Sequence, residues 1–315
     1  MSWSYDSAGI HRMMLLDRVR GEAFRAAIER TVKPGDVVLD FGAGSGILSL
    51  FAARAGAARV YAVEKTAAAQ LAREIVERNG FGGRVTVVQA DMETAWLPER
   101  ADVIVSEWLG TIGVDENLLA PLLVARDRWL RPGGRMIPGR VTVWMAPVEH
   151  PPTAAQRAFY RQRPYGFDFR PVFETWPHEA AWPDHPLEAD CLIADPVPMF
   201  DINAYRFDAA QATLPFRASL RFQARRNGHV DALALWFCAE LADGVELTNA
   251  PGAPPTHWKQ YALPLERGGR VSAGAQIMVE YACIPAYPGY CDQSWSVRVG
   301  AEQWQHQDTR KGWAG

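Results

Sequence analysis

The sequence predicts an α/β domain with a parallel sheet, followed by an antiparallel β-barrel or sandwich. In residues 33–148 apolar strand-like segments alternate with helical ones, which is typical of a parallel sheet with helical crossovers. After residue 149 prolines become frequent and the apolar runs are short and β-like, which indicates an antiparallel domain. These runs cover residues 218–222, 232–239, 277–283 and 295–299.

A helical segment precedes the first strand. Between residues 11 and 31 apolar side chains recur at helical spacing, which predicts one amphipathic stripe. Its members are Met14, Leu15, Val19, Phe24, Ala27 and Ile28.

A glycine-rich turn follows the first predicted strand of the parallel sheet. Its glycines let the backbone approach a ligand closely, and the helix that starts after it favours polar or anionic groups. The dinucleotide fingerprint requires Gly or Ala where Ile47 stands, so the turn suits a nucleoside without a pyrophosphate. S-adenosylmethionine is the obvious candidate. An acidic residue, Glu64, lies 18 positions after Gly46, near the spacing of the acid that binds ribose hydroxyls. The predicted cofactor residues are Asp40, Gly42, Gly44, Gly46 and Glu64.

Two glutamates flank a short loop after the strand at residues 101–105. Glu107 and Glu116 stand nine positions apart, and this double-glutamate loop (residues 106–116) is rich in small and apolar residues. It lies where an apolar strand ends, which is where open α/β folds bind ligands. Two carboxylates in a partly dry site repel each other unless a cation lies between them, and a planar guanidinium is the cation best shaped to bridge them. The alternative is a pair of solvated surface glutamates.

Length and composition narrow the class of protein. The 315 residues suffice for two domains, and 48% apolar with 22% charged residues is ordinary for a globular chain. A net charge of −3 gives no electrostatic footprint for nucleic acid, and no segment has the roughly 18 uninterrupted apolar residues of a membrane span. Four cysteines without a Cys-x-x-Cys pair, and no recognisable signal peptide, predict reduced thiols in the cytoplasm. The scarcity of lysine relative to arginine is typical of GC-rich bacterial genomes.

The segments described above, taken in their order along the chain, resemble the motifs of the protein arginine methyltransferase family. The resemblance covers nearly the whole chain, and its most specific parts are the double-glutamate loop and Thr256-His257-Trp258-Lys259-Gln260, the Thr-His-Trp loop. It implies a bacterial stand-alone enzyme with a helical segment at 1–31 over the cofactor, an α/β Rossmann-like methyltransferase domain at 32–148, and an antiparallel β-barrel domain at 149–315. A dimerisation arm is expected at about 166–200.

The resemblance also implies roles for individual residues. In the family, residues matching His11, Met14 and Arg20 fold over the cofactor, with the arginine paired to its methionine carboxylate. Two residues after the third strand are expected at the adenine. His257 is expected to pair with Asp17 beside the catalytic glutamates. No metal is expected at His257, because no His or Cys lies at ligand spacing from it. The adenine residues are Met92 and Glu93, and Trp108 and Trp258 are expected in the substrate pocket.

The expected function is S-adenosylmethionine-dependent N-methylation of the arginine guanidino group by a homodimer without nucleic-acid or membrane partners. Near-balanced charge, a short N-terminal segment, no appended recognition domain and the bacterial composition favour free L-arginine or a small derivative in specialised metabolism. A protein or peptide acceptor is the alternative. A non-catalytic binding module and an NAD-dependent oxidoreductase are more distant ones.

Overall fold

Two helices separated by one residue form the N-terminal segment. The structure, a computed structural model, describes residues 8–91, 94–175, 186–287 and 289–309. Helices α1 (Ala8–Leu16) and α2 (Arg18–Thr31) are interrupted at Asp17, whose carboxylate accepts a hydrogen bond from the Arg20 amide and caps α2. The periodicity predicted one continuous helical segment. It did not reveal the break, because an aspartate in such a pattern can lie either on the solvated face of a helix or at a helix N-cap.

A five-stranded parallel sheet follows, in the order β3-β2-β1-β4-β5. Strands β1 and β4 are buried along their whole length, as expected of strands covered on both faces. The strand order reverses between β1 and β4, so the loops after these two strands meet at one crevice. Its strands are β1 (Val37–Phe41), β2 (Arg59–Glu64), β3 (Val85–Gln89), β4 (Ala101–Val105) and β5 (Leu130–Ile137), and its helices are α3 (Ile47–Arg54), α4 (Ala68–Arg78) and α5 (Leu119–Trp129).

The second half of the chain is antiparallel and barrel-like. One sheet has the order β10-β9-β6-β7 with β11 also paired to β9, and the other has the order β14-β13-β12-β8. The strands are β6 (Arg140–Val148), β7 (Val197–Asn203), β8 (Phe216–Gln223), β9 (Gly228–Ala242), β10 (Val245–Thr248), β11 (Tyr261–Val271), β12 (Gln276–Tyr287), β13 (Tyr290–Val299) and β14 (Gln305–Asp308). The four short runs identified in the sequence lie within β8, β9, β12 and β13.

Strand β6 differs from the expectation that residues up to 148 complete the first domain. It pairs antiparallel with β9 over its whole length and with β7, so it belongs to the second half of the chain. A mostly apolar run predicts a strand but does not identify its partner. The parallel sheet ends with β5 at Ile137.

The two halves share one continuous core. Side chains of the parallel sheet and of the antiparallel strands belong to the same buried cluster, with Phe237 and Trp295 among its largest members. The Trp295 indole donates to the Pro264 carbonyl at 3.1 Å, which joins the two antiparallel sheets through β13 and β11. Between β6 and β7 lie α6 (Pro151–Arg161) and α7 (Arg170–Thr175). Within the described ranges no helix is long and apolar enough to cross a membrane.

Candidate active site

The double-glutamate loop is anchored where β1, β4 and β5 end. The Ser106 hydroxyl donates to the Phe41 carbonyl at 2.7 Å, and the Ser106 amide donates to the Ile137 carbonyl at 2.9 Å. Both bonds hold the residue before Glu107 against the carboxyl edge of the sheet. Glu107 therefore starts from a fixed backbone position beside the glycine-rich turn.

The same loop folds back on itself, so that its two ends meet. Gly110 and Gly113 form an isolated antiparallel bridge. A Cβ on Gly110 would lie only 3.0 Å from Glu116 Cγ, so the second glutamate packs against the first part of the loop. A larger residue at position 110 would collide with Asp115 even more closely than with Glu116. The fold thus brings together the segments that carry Glu107 and Glu116.

Asp115 supports this loop from inside, a role that the sequence analysis missed. Its Oδ1 accepts a hydrogen bond from the Ile112 amide at 3.0 Å, and its carboxyl also bonds to Tyr261 on β11. Burial raises the pKa of Asp115, although these hydrogen bonds oppose the shift. An acidic residue directly before Glu116 was the only sign of it in the sequence.

An ion pair joins Arg20 on α2 to Glu107. Arg20 Nε and Nη2 donate to the same oxygen, Oε2, at 3.0 and 2.9 Å, while Glu107 Oε1 accepts the Leu109 amide at 3.0 Å. The side chains are only 7% and 10% exposed, so the two charges compensate each other away from water. Arg20 therefore contacts Glu107, and its charge also acts on Asp40 beside the glycine-rich turn.

Asp17 connects α2 to the Thr-His-Trp loop. Its Oδ2 accepts the His257 backbone amide at 2.9 Å and lies 2.7 Å from His257 Nδ1. Burial opposes the charged form of Asp17, but the hydrogen bonds from His257 and from the Arg20 amide outweigh it and lower the pKa of Asp17. An ionised carboxylate only accepts hydrogen bonds, so the proton of this contact lies on Nδ1.

The two tryptophans expected in the substrate pocket are buried below the loops. The Trp258 indole donates to the Leu109 carbonyl at 2.8 Å and packs edge-on against Phe237, so it fastens the Thr-His-Trp loop to the double-glutamate loop. Trp108 is also buried, and its Nε1 has no hydrogen-bond partner among the residues that the structure describes. Asn249, which the sequence analysis did not identify, adds a second link by donating to the Thr111 carbonyl at 2.8 Å.

The glycine-rich turn forms an open cradle beside these loops. Gly42, Gly44 and Gly46 all have positive φ, with values of 78°, 53° and 80°, a conformation that favours glycine. A Cβ on Gly42 would meet nothing within 4 Å, whereas one on Gly44 would lie 3.2 Å from His11 Cε1. His11 on α1 therefore covers the turn. Met14, one turn further along α1, is half-buried.

Two carboxylates border the cradle. Glu64, at the end of β2, accepts the Gly44 amide at 2.9 Å and the Thr66 amide at 2.8 Å. Asp40, at the end of β1, is fully buried and accepts the Ser49 hydroxyl at 2.6 Å. Burial, reinforced by the charge of Glu64, raises the pKa of Asp40 to about 6, although Ser49 and the charge of Arg20 oppose the shift.

Two family profiles and several curated proteins match this chain. The profile of ribosomal protein L11 methyltransferase matches residues 25–137, and that of the arginine methyltransferase oligomerization subdomain matches residues 139–294. Protein arginine N-methyltransferase 1 of Schizosaccharomyces pombe is 34% identical over 293 residues, which cover 90% of this chain and 84% of that protein. The Saccharomyces cerevisiae protein of the same name is 32% identical, with coverage of 90% and 82%.

The chain belongs to the protein arginine N-methyltransferase family. Solved structures agree: the Trypanosoma brucei PRMT1 enzyme–prozyme heterotetrameric complex with AdoHcy superposes with a TM-score of 0.84 at 31% identity, covering 97% of this chain and 98% of that one. Arabidopsis thaliana protein arginine methyltransferase 10 gives a TM-score of 0.81 at 25% identity, with coverage of 97% and 99%. The protein is an arginine N-methyltransferase that uses S-adenosylmethionine, as the sequence analysis predicted.

The cradle of this methyltransferase fits its cofactor. The backbone of the turn is open to a ligand, and His11 presents two buried ring nitrogens that have no hydrogen-bond partner among the described residues. Asp40 Oδ1 is likewise buried without a partner in those ranges. Unpaired buried polar atoms are costly, so a polar ligand at this position would compensate them. The predicted adenine residues, Met92 and Glu93, lie outside the described residues.

Proposed function

We propose that this methyltransferase acts on arginine within proteins or peptides. The single observation that carries the proposal is the match over 90% of the chain to relatives named protein arginine N-methyltransferases. The buried loops that carry Glu107 and Glu116 agree with it, since they offer carboxylates to a guanidinium beside the cofactor cradle. Free L-arginine, the acceptor that composition favoured, has no support from these relatives.

In the proposed mechanism Glu107 and Glu116 clamp the acceptor guanidinium. When bound, S-adenosylmethionine supplies the electrophilic methyl group. A free guanidinium, with a pKa above about 12, is a poor nucleophile. Unequal contacts with the two carboxylates would localise its positive charge away from the nitrogen to be methylated, and a fixed orientation lowers the barrier further. Either Glu116 or His257 takes the departing proton.

Arg20 has two roles in this scheme. Its side chain donates two hydrogen bonds to Glu107 Oε2, a carboxylate oxygen that the acceptor guanidinium would also bind. We infer that, with the cofactor bound, Arg20 would hold the carboxylate of the cofactor's methionine moiety, which would release Glu107 for the acceptor. Asp17 and His257 hold the start of α2 in place for this exchange. Glu64 would bind the ribose hydroxyls, and His11 and Met14 would cover the cofactor.

A methylation assay with two acceptors tests the proposal. The purified enzyme is incubated with S-adenosylmethionine and either free L-arginine or a peptide that contains one arginine, and the methyl groups are counted by mass spectrometry. We expect turnover of the peptide, and none with the matched Glu116→Gln variant. Turnover of free L-arginine alone would refute the protein-acceptor proposal. The masses and fragmentation also distinguish monomethyl, symmetric and asymmetric dimethyl products.

We also infer that the enzyme is a homodimer. Large aromatic side chains are exposed around the predicted arm, with Tyr165 94% and Phe167 67% accessible, and such a surface favours a protein contact. The profile that matches residues 139–294 is that of an oligomerization subdomain. The expected contact at Trp176 and Trp182 lies outside the described residues. Light scattering at micromolar concentration should give twice the 35.0 kDa chain mass, and a monomer would contradict the inference.

A cytoplasmic location stays a prediction.

A further inference from the structure

The hairpin formed by β12 and β13 touches the double-glutamate loop next to Glu116. The Gly289 amide donates to the Glu116 carbonyl at 2.8 Å. On the following strand, Cys291 Sγ lies 3.6 Å from the Val114 carbonyl. These two contacts fix the tip of the hairpin against the part of the loop that carries Glu116. Neither the sequence motifs nor the mechanism above use this hairpin.

A pair of stacked tyrosines stands at the same tip. Tyr287 and Tyr290 face each other across the hairpin, with ring centroids 5.1 Å apart and planes inclined by 22°. Tyr290 is half-buried and its hydroxyl bonds to Thr309 and Asp292, so its ring is held in place. Tyr287 leans on it and remains 60% exposed. The result is an ordered aromatic surface that is open to a ligand.

This surface lies within reach of a chain bound at Glu116. Consecutive Cα atoms are about 3.8 Å apart, so the Tyr287 Cα lies within about 8 Å of the Gly289 Cα, whose residue contacts Glu116. An extended peptide spans about 7–11 Å in two or three residues. In the proposed complex, a residue two or three positions from the methylated arginine would therefore come within reach of Tyr287, whereas free L-arginine has no second side chain to place there.

The chemistry of this surface selects a cation. The face of a tyrosine ring carries negative electrostatic potential and attracts a guanidinium, which stacks on it. The carboxylate of Asp292, which bonds to the Tyr290 hydroxyl, adds negative charge at the same tip. A neutral or acidic side chain would gain neither interaction.

We propose that Tyr287, stacked on Tyr290, binds the guanidinium of a second arginine two or three residues from the one being methylated. The proposal rests on the protein-acceptor function proposed above, and it makes Tyr287 a specificity residue. It requires no new chemistry, because the second guanidinium is bound but not transformed there.

Steady-state kinetics with three heptapeptides test the proposal. One peptide has arginine at its third and sixth positions, and the other two have citrulline, which has the same shape without the charge, at one of those positions. In the wild-type enzyme at least one citrulline peptide should have a KM about five to ten times higher than the two-arginine peptide, at similar kcat. Such a ratio equals about 1–1.4 kcal/mol, the size of an exposed to partly buried cation–π contact.

Substitutions assign the effect to the tyrosine. Tyr287→Ala and Tyr287→Leu should raise the KM of the two-arginine peptide by the same factor and leave the citrulline peptides and the cofactor Kd unchanged. The leucine variant keeps apolar bulk at the tip if the alanine variant is unstable. Trp304→Ala is the matched control, because Trp304 is an exposed aromatic residue beyond the other end of β13. Its kinetics should equal those of the wild type.

Two outcomes overturn different claims. If the wild-type enzyme methylates the peptides but both Tyr287 variants keep its KM values, or if their effect is equal with citrulline, the subsite proposal is wrong. If the wild-type enzyme methylates free L-arginine and none of the peptides, the protein-acceptor function is wrong as well.

Discussion

Replacing Asp40 by asparagine should change how the stability of the cofactor-free enzyme depends on pH. Asp40 is fully buried, and its pKa is raised from 3.8 to about 6. An acid with a raised pKa binds more protons in the folded state than in the unfolded state between these values. Its contribution to stability is therefore complete below about pH 4 and is lost as the pH rises through 6.

The size of the effect follows from the shift. A difference of about 2 pKa units corresponds to about 3 kcal/mol of unfolding free energy, and about 2 kcal/mol of it falls between pH 4.5 and 7.5. Solvent does not screen the Asp40 carboxylate, because its side chain is inaccessible to water. Asparagine keeps a carbonyl oxygen for the Ser49 hydroxyl but does not titrate, so Asp40→Asn should lack this part of the pH dependence.

Urea unfolding followed by tryptophan fluorescence at the two pH values measures it. The difference in unfolding free energy, variant minus wild type, should become about 2 kcal/mol more favourable at pH 7.5 than at pH 4.5, because the titration of all other groups cancels. Ser49→Ala is a matched control: it removes the hydroxyl that stabilises the charged carboxylate, so it should steepen the dependence. A variant that follows the wild type in parallel at both pH values would refute the reasoning.

Three further predictions concern the clamp, the ribose site and the helix anchor. Glu107→Gln and Glu116→Gln should each reduce kcat more than about tenfold, or 1.4 kcal/mol, with little change in cofactor Kd; a variant that keeps more than a tenth of the turnover contradicts the clamp. Glu64→Ala should lower the affinity for S-adenosylhomocysteine about tenfold or more, as measured by calorimetry, because a hydrogen bond to a charged acceptor is lost. An unchanged affinity would remove Glu64 from the site. A double-mutant cycle of Asp17→Asn and His257→Gln should give a coupling energy of about 1.5–3 kcal/mol on unfolding, and additive effects would mean that the contact contributes nothing.

The sequence predicted strands best where both faces are buried. Strands β1 and β4 are short and, apart from one aspartate in each, apolar, and both lie where the pattern put them. Strand β14, in contrast, reads Gln-His-Gln-Asp, and no hydrophobic pattern identifies it, because its hydrogen-bonded pairing with β13 stabilises it. Residues 140–148 were placed in the first domain for a related reason, whereas β6 pairs with β9 and β7. Pairing depends on contacts far apart in the sequence, which local patterns do not contain.

The candidate site divides in the same way. Spacing alone indicated that Glu107 and Glu116 share a loop, and the family resemblance suggested the contact between Asp17 and His257, which the structure contains. The ion pair of Arg20 with Glu107 was not predicted, because the expected partner of Arg20 was the cofactor. Asp115 was missed because it supports the loop through burial and hydrogen bonds, which only the folded chain shows. Such supporting residues have no motif of their own.

The bonds made by Asp17 have a consequence for the exchange of backbone amide hydrogens. One carboxylate caps α2 and accepts the amide of His257, a residue 240 positions away. The His257 amide can therefore exchange with solvent only when the start of α2 separates from the barrel, so the two segments open as one cooperative unit. Because Arg20 lies on the first turn of α2, a ligand that holds Arg20 also holds this unit closed. Under the proposed contact of Arg20 with the cofactor, protection of the His257 amide would thus report on cofactor binding.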